Sequence, residues 1–312
     1  MDNIKICIVC SGNFPGGEKK LPIYQAFIHD QTVELEKNKC DVSFFLIKGK
    51  GIRGYLNNIF KLKKFVKTKK FDLVHAHSGL SGLLASLSVK VPLVVTYHGS
   101  DINVFSSRIL SIYPIIKSSV NIFVSKELKK KALFSSSKKN NVVPCGVDMN
   151  LFNIISKEQA KEKLKIKSNK KIVLFSSNFQ NTVKNYPLAK STVDNSSFDI
   201  EFLEIKNRTR QEVVWLLNIS DALLLTSYSE GSPQIIKEAM SCNCPIISVD
   251  VGDVKDRIKL VKNCYISSTE ELTEKLDLVL SINERSNGRD YIKNFSNTFV
   301  AQEILELYKK VI

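Results

Sequence analysis

Thr226–Val254 reads TSYSEGSPQIIKEAMSCNCPIISVDVGDV, and its punctuation decides the architecture. One apolar run, Ala222 to Leu225, leads into the stretch, and another, Pro245 to Val249, lies near its end. Between them, Glu230-Gly231-Ser232-Pro233 forms a turn and opens a helix that carries Glu238 about two turns in. Strand, turn, helix and strand in that order predict one unit of a parallel sheet. The turn aims backbone N–H groups and the positive end of the helix at one point. One carboxylate stands at the mouth and another deeper along the helix. A ligand with an anionic centre flanked by hydroxyl-rich rings suits that arrangement.

The same alternation extends in both directions. Short apolar runs at Ile4–Val9, Val42–Ile47, Asp72–His75, Leu93–Tyr97 and Asn121–Val124 read as buried strands separated by helical patterns. The cycle restarts at Lys171–Ser176 and continues through Ile200–Leu203, Ala222–Leu225 and Pro245–Val249. The expected fold is therefore α/β, with two Rossmann-like, doubly wound parallel-sheet domains. The Pro/Gly turn VPCGVDMNLF (Val143–Phe152) marks the boundary. We expect an N-terminal domain over 1–153, a C-terminal domain over 154–295, and an amphipathic helix within 296–312 that crosses back to the N-terminal domain. Its apolar positions are Val300, Ile304, Leu307 and Val311.

The 312 residues are ordinary in hydrophobic content (43%) and charged content (25%), which suits two domains of globular size. The start, MDNIKICIVC, has no basic prelude or cleavage site, and no apolar run reaches the length of a membrane span. A cytoplasmic location is expected. Seven cysteines are odd in number, and Cys7-x-x-Cys10 lies within a strand where the two side chains face opposite ways. Neither a redox pair nor a metal site is expected. His75, His77 and His98 lack a fourth ligand for zinc.

Charge is distributed unevenly. Residues 1–150 hold 23 Lys/Arg against 10 Asp/Glu, whereas 151–312 hold 23 against 21, within a net +15. Residues 48–70 carry nine cations and no acid, with Ile52, Leu56, Ile59, Leu62 and Val66 at helical spacing. Two readings stay open. One is a solvated helix face; the other is a basic surface for anionic lipids or a phosphorylated acceptor at the inner face of the membrane. Nucleic acid is disfavoured, since few aromatics interleave with the lysines.

Six segments in order resemble the retaining GT-B glycosyltransferases known as family 4 or group 1, over essentially the whole chain. They are the loop SGNFPGG (Ser11–Gly17), DLVHAHSGLSGLLA (Asp72–Ala85), TYHGSD (Thr96–Asp101), VSKELKKKAL (Val124–Leu133), VPCGVDMNLF and EGSPQIIKE, the last matching an E-x7-E motif. FFLIKGKGIRGYL and VKNYPLAK look like a bacterial subgroup acting in surface-polysaccharide assembly.

The resemblance implies transfer of a sugar from a nucleotide-sugar donor, UDP- or GDP-linked, to a glycan or polyprenyl-diphosphate-linked acceptor. No metal or other cofactor is expected. Backbone N–H groups at Gly16, Gly17 and the Gly231-Ser232-Pro233 helix start would hold the diphosphate, with Lys184 as the phosphate-binding lysine. Glu238 would accept from the ribose hydroxyls, Glu230 would face the donor sugar, and His98 would steady the reacting centre from a cleft. His77 would line that cleft, and His75 would be core. Asn178 stands where the family carries a phosphate-binding arginine, which leaves Arg208 or Arg210 as substitute cations. Alternatives are a catalytically degenerate nucleotide-sugar-binding protein and a sugar-nucleotide epimerase.

Overall fold

The computed structural model describes residues 3–134 and 137–312; Met1 and Asp2, the first residues of the start read for a leader, lie outside them. The chain forms two compact units, Met1–Gly146 with Asn297–Ile312, and Val147–Ser296.

The first unit is built on six parallel strands: β1 (Ile4–Ser11), β2 (Cys40–Ile47), β3 (Leu73–His77), β4 (Leu93–Tyr97), β5 (Val120–Phe123) and β6 (Asn140–Val142). Their order is β2-β1-β3-β4-β5-β6. Alternation along β1 sends Cys7 and Val9 into one core and Ile6, Ile8 and Cys10 into the other. The Cys7/Cys10 separation is thus across the sheet, and burial pushes both thiols up to about 12. Helices Ile59–Lys69 and Gly79–Ser88 cover one face; Ala26–Lys37 and Asn297–Lys309 cover the other. The C-terminal helix buries Val300, Ala301, Ile304, Leu307 and Tyr308 in this unit.

The second unit has five parallel strands: β7 (Lys171–Phe175), β8 (Ile200–Leu203), β9 (Ala222–Leu225), β10 (Ile246–Val249) and β11 (Cys264–Ser267), in the order β11-β10-β9-β7-β8. Ile172, Leu174, Leu223 and Leu225 face one core; Val173, Phe175, Ala222 and Leu224 face the other. Each such Ile, Leu, Val or Phe side chain, fully buried, contributes about 1.5–3 kcal/mol.

Three expectations change. Edge strands β6 and β11 extend the sheets beyond the strands read from sequence. β6 is only three residues with two asparagines, and β11 is half-exposed at its centre, so neither forms an apolar run. The 48–70 segment is two helices, Gly51–Leu56 and Ile59–Lys69. The buried Asn58 amide ends the first by donating to the carbonyls of Lys48 (2.9 Å) and Gly54 (2.7 Å). Residues 147–153, assigned with the first domain, belong to the second unit, as does Ser296. Val147 donates to the Phe295 carbonyl at 2.8 Å, and Phe152 is buried in the second unit's core. At the crossing, a Cβ on Gly146 would fall 2.8 Å from the Asn297 Cα, a close approach that requires glycine.

Candidate functional site

Strand order places the site of the second unit. The chain direction across the sheet reverses between β7 and β9, so their following loops lie side by side at the carboxyl edge, where open α/β sheets bind ligands. Three hydrogen bonds join those loops. Thr226 Oγ1 donates to the carbonyls of Lys184 (2.9 Å) and Asn185 (3.1 Å), and Tyr228 N–H donates to the Val183 carbonyl (2.9 Å). Asn181 accepts from Val183 N–H and caps the short turn Thr182–Lys184, while Asn185 takes the left-handed backbone that starts helix Tyr186–Asp194.

Lys184 Nζ thereby comes 2.5 Å from Glu230 Oε1, with both side chains largely buried. Residues 46 apart in sequence, read respectively as phosphate cation and sugar-facing carboxylate, neutralise each other here. Behind them, Gly252 takes φ 58°, and a Cβ on it would fall 2.9 Å from the Gly231 carbonyl oxygen and 3.0 Å from Glu230 Cβ. The loop after β10 therefore braces the Glu230 turn. Asp253 beside it pairs with Arg257 at 2.8 Å.

Pro233 is the N-cap of helix Gln234–Ser241, without a side-chain cap. Having no N–H, proline offers a ligand none itself, and the Ile236 N–H of the first helical turn donates back to the Pro233 carbonyl at 3.3 Å. Glu238 is the fifth residue of this helix, little more than one turn in, and is half-buried. Lys237 is fully buried and extends back to Ser232 Oγ at 3.3 Å. Sequence reading passed over it, although its spacing from Ile236, Met240 and Ser241 marked the buried face. Asn178 Oδ1 accepts from Gln180 N–H at 3.1 Å and shapes its own loop. Arg208 pairs with Glu212 at 3.1 Å, and the Arg210 guanidinium lies 5.7 Å over the Phe152 ring.

Gly16, Gly17 and His98 belong to the first unit. Gly16 (φ 80°) and Gly17 (φ 58°) take left-handed backbone after β1 and lead into a single turn, Gly17–Lys20. His98 follows β4 in a polar chain. Tyr308 Oη meets His75 Nδ1 at 2.6 Å, and His75 Nε2 meets Thr96 Oγ1 at 2.7 Å. His75 stacks on His77, whose Nδ1 meets His98 Nε2 at 3.1 Å; His98 Nδ1 lies 3.6 Å from Cys145 Sγ. His77 Nε2 is buried without a hydrogen-bond partner among the described residues. An orphaned acceptor is cheaper than an orphaned N–H, so His77 carries its proton on Nδ1 and donates to His98. Burial, then the neighbouring His98, pushes His75 down to about 3; burial and both neighbouring histidines also hold His77 well below its usual range. Both rings are therefore neutral.

Asp101 holds the turn after β4. Its carboxylate accepts from the N–H groups of His98 (3.1 Å), Gly99 (2.9 Å) and Gly79 (3.3 Å). Burial raises its pKa against those backbone bonds. Sequence reading took this residue only as part of TYHGSD; here it fixes the backbone that carries His98. Among the described residues, no group of three His, Cys, Asp or Glu is arranged to hold a metal ion, and no helix is long and apolar enough to cross a membrane.

The sequence matches Glycosyltransferase Family 4 over residues 23–151 and Glycosyl transferases group 1 over 199–295. It is 26% identical over 214 residues to a Bacillus subtilis protein named as a teichuronic acid biosynthesis glycosyltransferase, TuaC; that match spans 59% of this chain and 54% of the relative. It is 25% identical over 314 residues to the Escherichia coli UDP-Gal:alpha-D-GlcNAc-diphosphoundecaprenol alpha-1,3-galactosyltransferase, covering 81% of this chain and 79% of that one. Among solved structures, sucrose-phosphate synthase of Thermosynechococcus elongatus superposes with TM-score 0.84 at 13% identity, over 99% of each chain. Anabaena HepE in complex with UDP gives 0.76 at 15%, over 98% of this chain and 100% of its own. The two parallel-sheet units thus have the GT-B fold, and the chain belongs to the group 1, family 4 glycosyltransferases.

Proposed function

We propose that the protein is a retaining glycosyltransferase that takes a sugar from a UDP- or GDP-linked donor without a metal ion. The second unit would hold the donor, and the first would meet a glycan or polyprenyl-diphosphate-linked acceptor. The observation that carries this reading is the Lys184–Glu230 pair beside an uncapped helix start. A cation for phosphate, a carboxylate for sugar hydroxyls and the positive end of a helix converge there. The pair must open to admit a donor: Lys184 turns to the diphosphate while Glu230 accepts from the sugar.

Transfer breaks the bond between the anomeric carbon and the diphosphate oxygen and forms one from that carbon to the acceptor oxygen. The acceptor proton passes to the departing phosphate on the same face, a route that requires no separate general base. His98, held by His77 and by the Asp101-fixed turn, would steady the donor sugar.

Acceptor chemistry is supported by the Escherichia coli relative, whose name specifies a diphosphoundecaprenol-linked acceptor. The helix Ile59–Lys69 presents Lys61, Lys63, Lys64 and Lys67 to solvent beside Phe60, which is 83% exposed. That mixture suits peripheral attachment to anionic lipid at the inner membrane face. A second reading, nucleotide-sugar binding without transfer, is favoured by the uncharged Asn178.

The test is a panel of UDP- and GDP-sugars scored by thermal stabilisation, followed by transfer to a polyprenyl-diphosphate glycan in the presence of EDTA. Stabilisation with transfer and retained anomeric configuration is expected. Stabilisation without transfer selects the binding protein, and an absence of stabilisation by every donor rejects both.

A further inference from the structure

Helix Phe105–Lys117 of the first unit turns its apolar side outward. It buries Ser111, Pro114 and Ile115, whereas Phe105, Ile109, Tyr113 and Ile116 are 71%, 46%, 40% and 48% exposed. Those four recur at helical spacing and form one stripe along the outer side, where a surface helix ordinarily carries polar groups. Inward packing explains the inversion. A Cβ on Gly79 would meet Ser111 Oγ, and one on Gly82 would fall 3.1 Å from Pro114 Cβ. The helix therefore lies too close to helix Gly79–Ser88 to bury large side chains against it. An exposed apolar stripe of this kind marks a surface that something covers.

The charges beside the stripe have one sign. No acidic residue lies between Asp101 and Glu127, and Asp101 is buried. Lys90 and Lys117 line one cleft at the end of the helix with Ser86, Tyr113 and Ser119, and neither is in an ion pair among the described residues. Lys139 Nζ donates to the carbonyls of Ile116 (3.2 Å) and Ser118 (3.0 Å) and brings a third cation to that end. Apolar side chains running into a cluster of cations complement an anionic bilayer, whose acyl region takes the former and whose phosphates take the latter. We infer that helix Phe105–Lys117 is the element that enters the membrane interface, with phospholipid phosphate seated at Lys90 and Lys117. This inference rests on the membrane-held acceptor proposed above. Helix Gly79–Ser88 lies between this helix and Ile59–Lys69, and all three share one core, so both outer helices meet the same bilayer. The basic helix supplies attraction that salt screens; the apolar one supplies insertion that salt does not.

The experiment is flotation of the full chain with phosphatidylcholine vesicles, with and without phosphatidylglycerol, at low and high salt. Phe105→Gln with Ile109→Gln should weaken binding on the order of tenfold or more and abolish what persists in high salt. Lys90→Gln with Lys117→Gln should lower the preference for phosphatidylglycerol on the order of tenfold and leave the salt-resistant part in place. All four positions are exposed, so the variants keep the fold. A parent that binds no vesicle or binds only in low salt overturns the inference, as does parent-like binding by the Phe105/Ile109 variant. A parent that self-associates without binding vesicles, and becomes monomeric in that variant, assigns the stripe to a second copy and overturns it too. Thermal stabilisation by UDP- and GDP-sugars is scored on the same proteins: its loss fails the sugar-transfer reading, and its persistence leaves that reading standing when flotation fails.

Discussion

The two units solve the same packing problem and place opposite chemistry at the ends of their central strands. In the first, rings and hydroxyls stack and hydrogen-bond from Tyr308 to Cys145, and burial holds His75 and His77 uncharged. In the second, full charges meet: Lys184 with Glu230 and Asp253 with Arg257. Surface charge is reversed, since residues 1–150 carry the cationic excess while 151–312 are nearly balanced. A neutral hydrogen-bonded network has no charge to exchange, whereas a pair of opposite charges can exchange one partner for a substrate group. On the function proposed above, the contrast assigns donor chemistry to the second unit even though the first is the more basic.

The largest expected effect comes from removing the exchangeable carboxylate. Glu230→Ala should lower sugar transfer by roughly a hundredfold or more, in a direct assay with saturating donor. A rate within threefold of the parent would remove Glu230 from the reaction. Strain on the brace behind it should be felt next. Gly252→Ala places a Cβ against the Gly231 carbonyl at φ 58° and should destabilise the second unit by about 2 kcal/mol, read by urea unfolding.

The neutral network predicts a pH dependence for the first unit. A histidine whose folded pKa lies below its unfolded value of 6.5 lets the unfolded chain bind the proton first. Stability is therefore complete above about 6.5 and is lost as pH falls toward about 3. Between pH 7 and 5.5 the loss should be about 1 kcal/mol for each of His75 and His77. Denaturant midpoints that stay flat across that window would show that the rings charge in the folded state. Tyr308→Phe removes the hydroxyl at His75 Nδ1 and should destabilise by about 1–2 kcal/mol, with a smaller change if water enters. The smallest effect concerns the surface: replacing any one of Lys61, Lys63, Lys64 or Lys67 with Gln should weaken flotation with anionic vesicles by about 1 kcal/mol. Salt-insensitive binding to neutral and anionic vesicles alike would dismiss membrane attachment through this helix.

Much of this was legible from residue pattern. Continuous short apolar runs such as Ile6–Val9 and Ala222–Leu225 read as buried strands, and turn residues between them set the alternation. The illegible parts share one cause: their partners are distant in sequence. Asn58 breaks a helix because the Lys48 carbonyl lies within reach. β6 and β11 exist because a neighbouring strand completes their hydrogen bonds.

Local spacing therefore determined the α/β class and the alternation of elements, because periodicity and turn chemistry act over a few residues, while the resemblance of the six segments supplied most of the candidate residues. Only tertiary structure decided which candidates meet. The reversal of strand order at β7 and β9 sets Lys184 on Glu230, and the histidines of β3 and the β4 end meet Tyr308 of the C-terminal helix and Cys145. Sequence spacing carries no record of such contacts, because each arises from how sheet and helices are laid against one another in space.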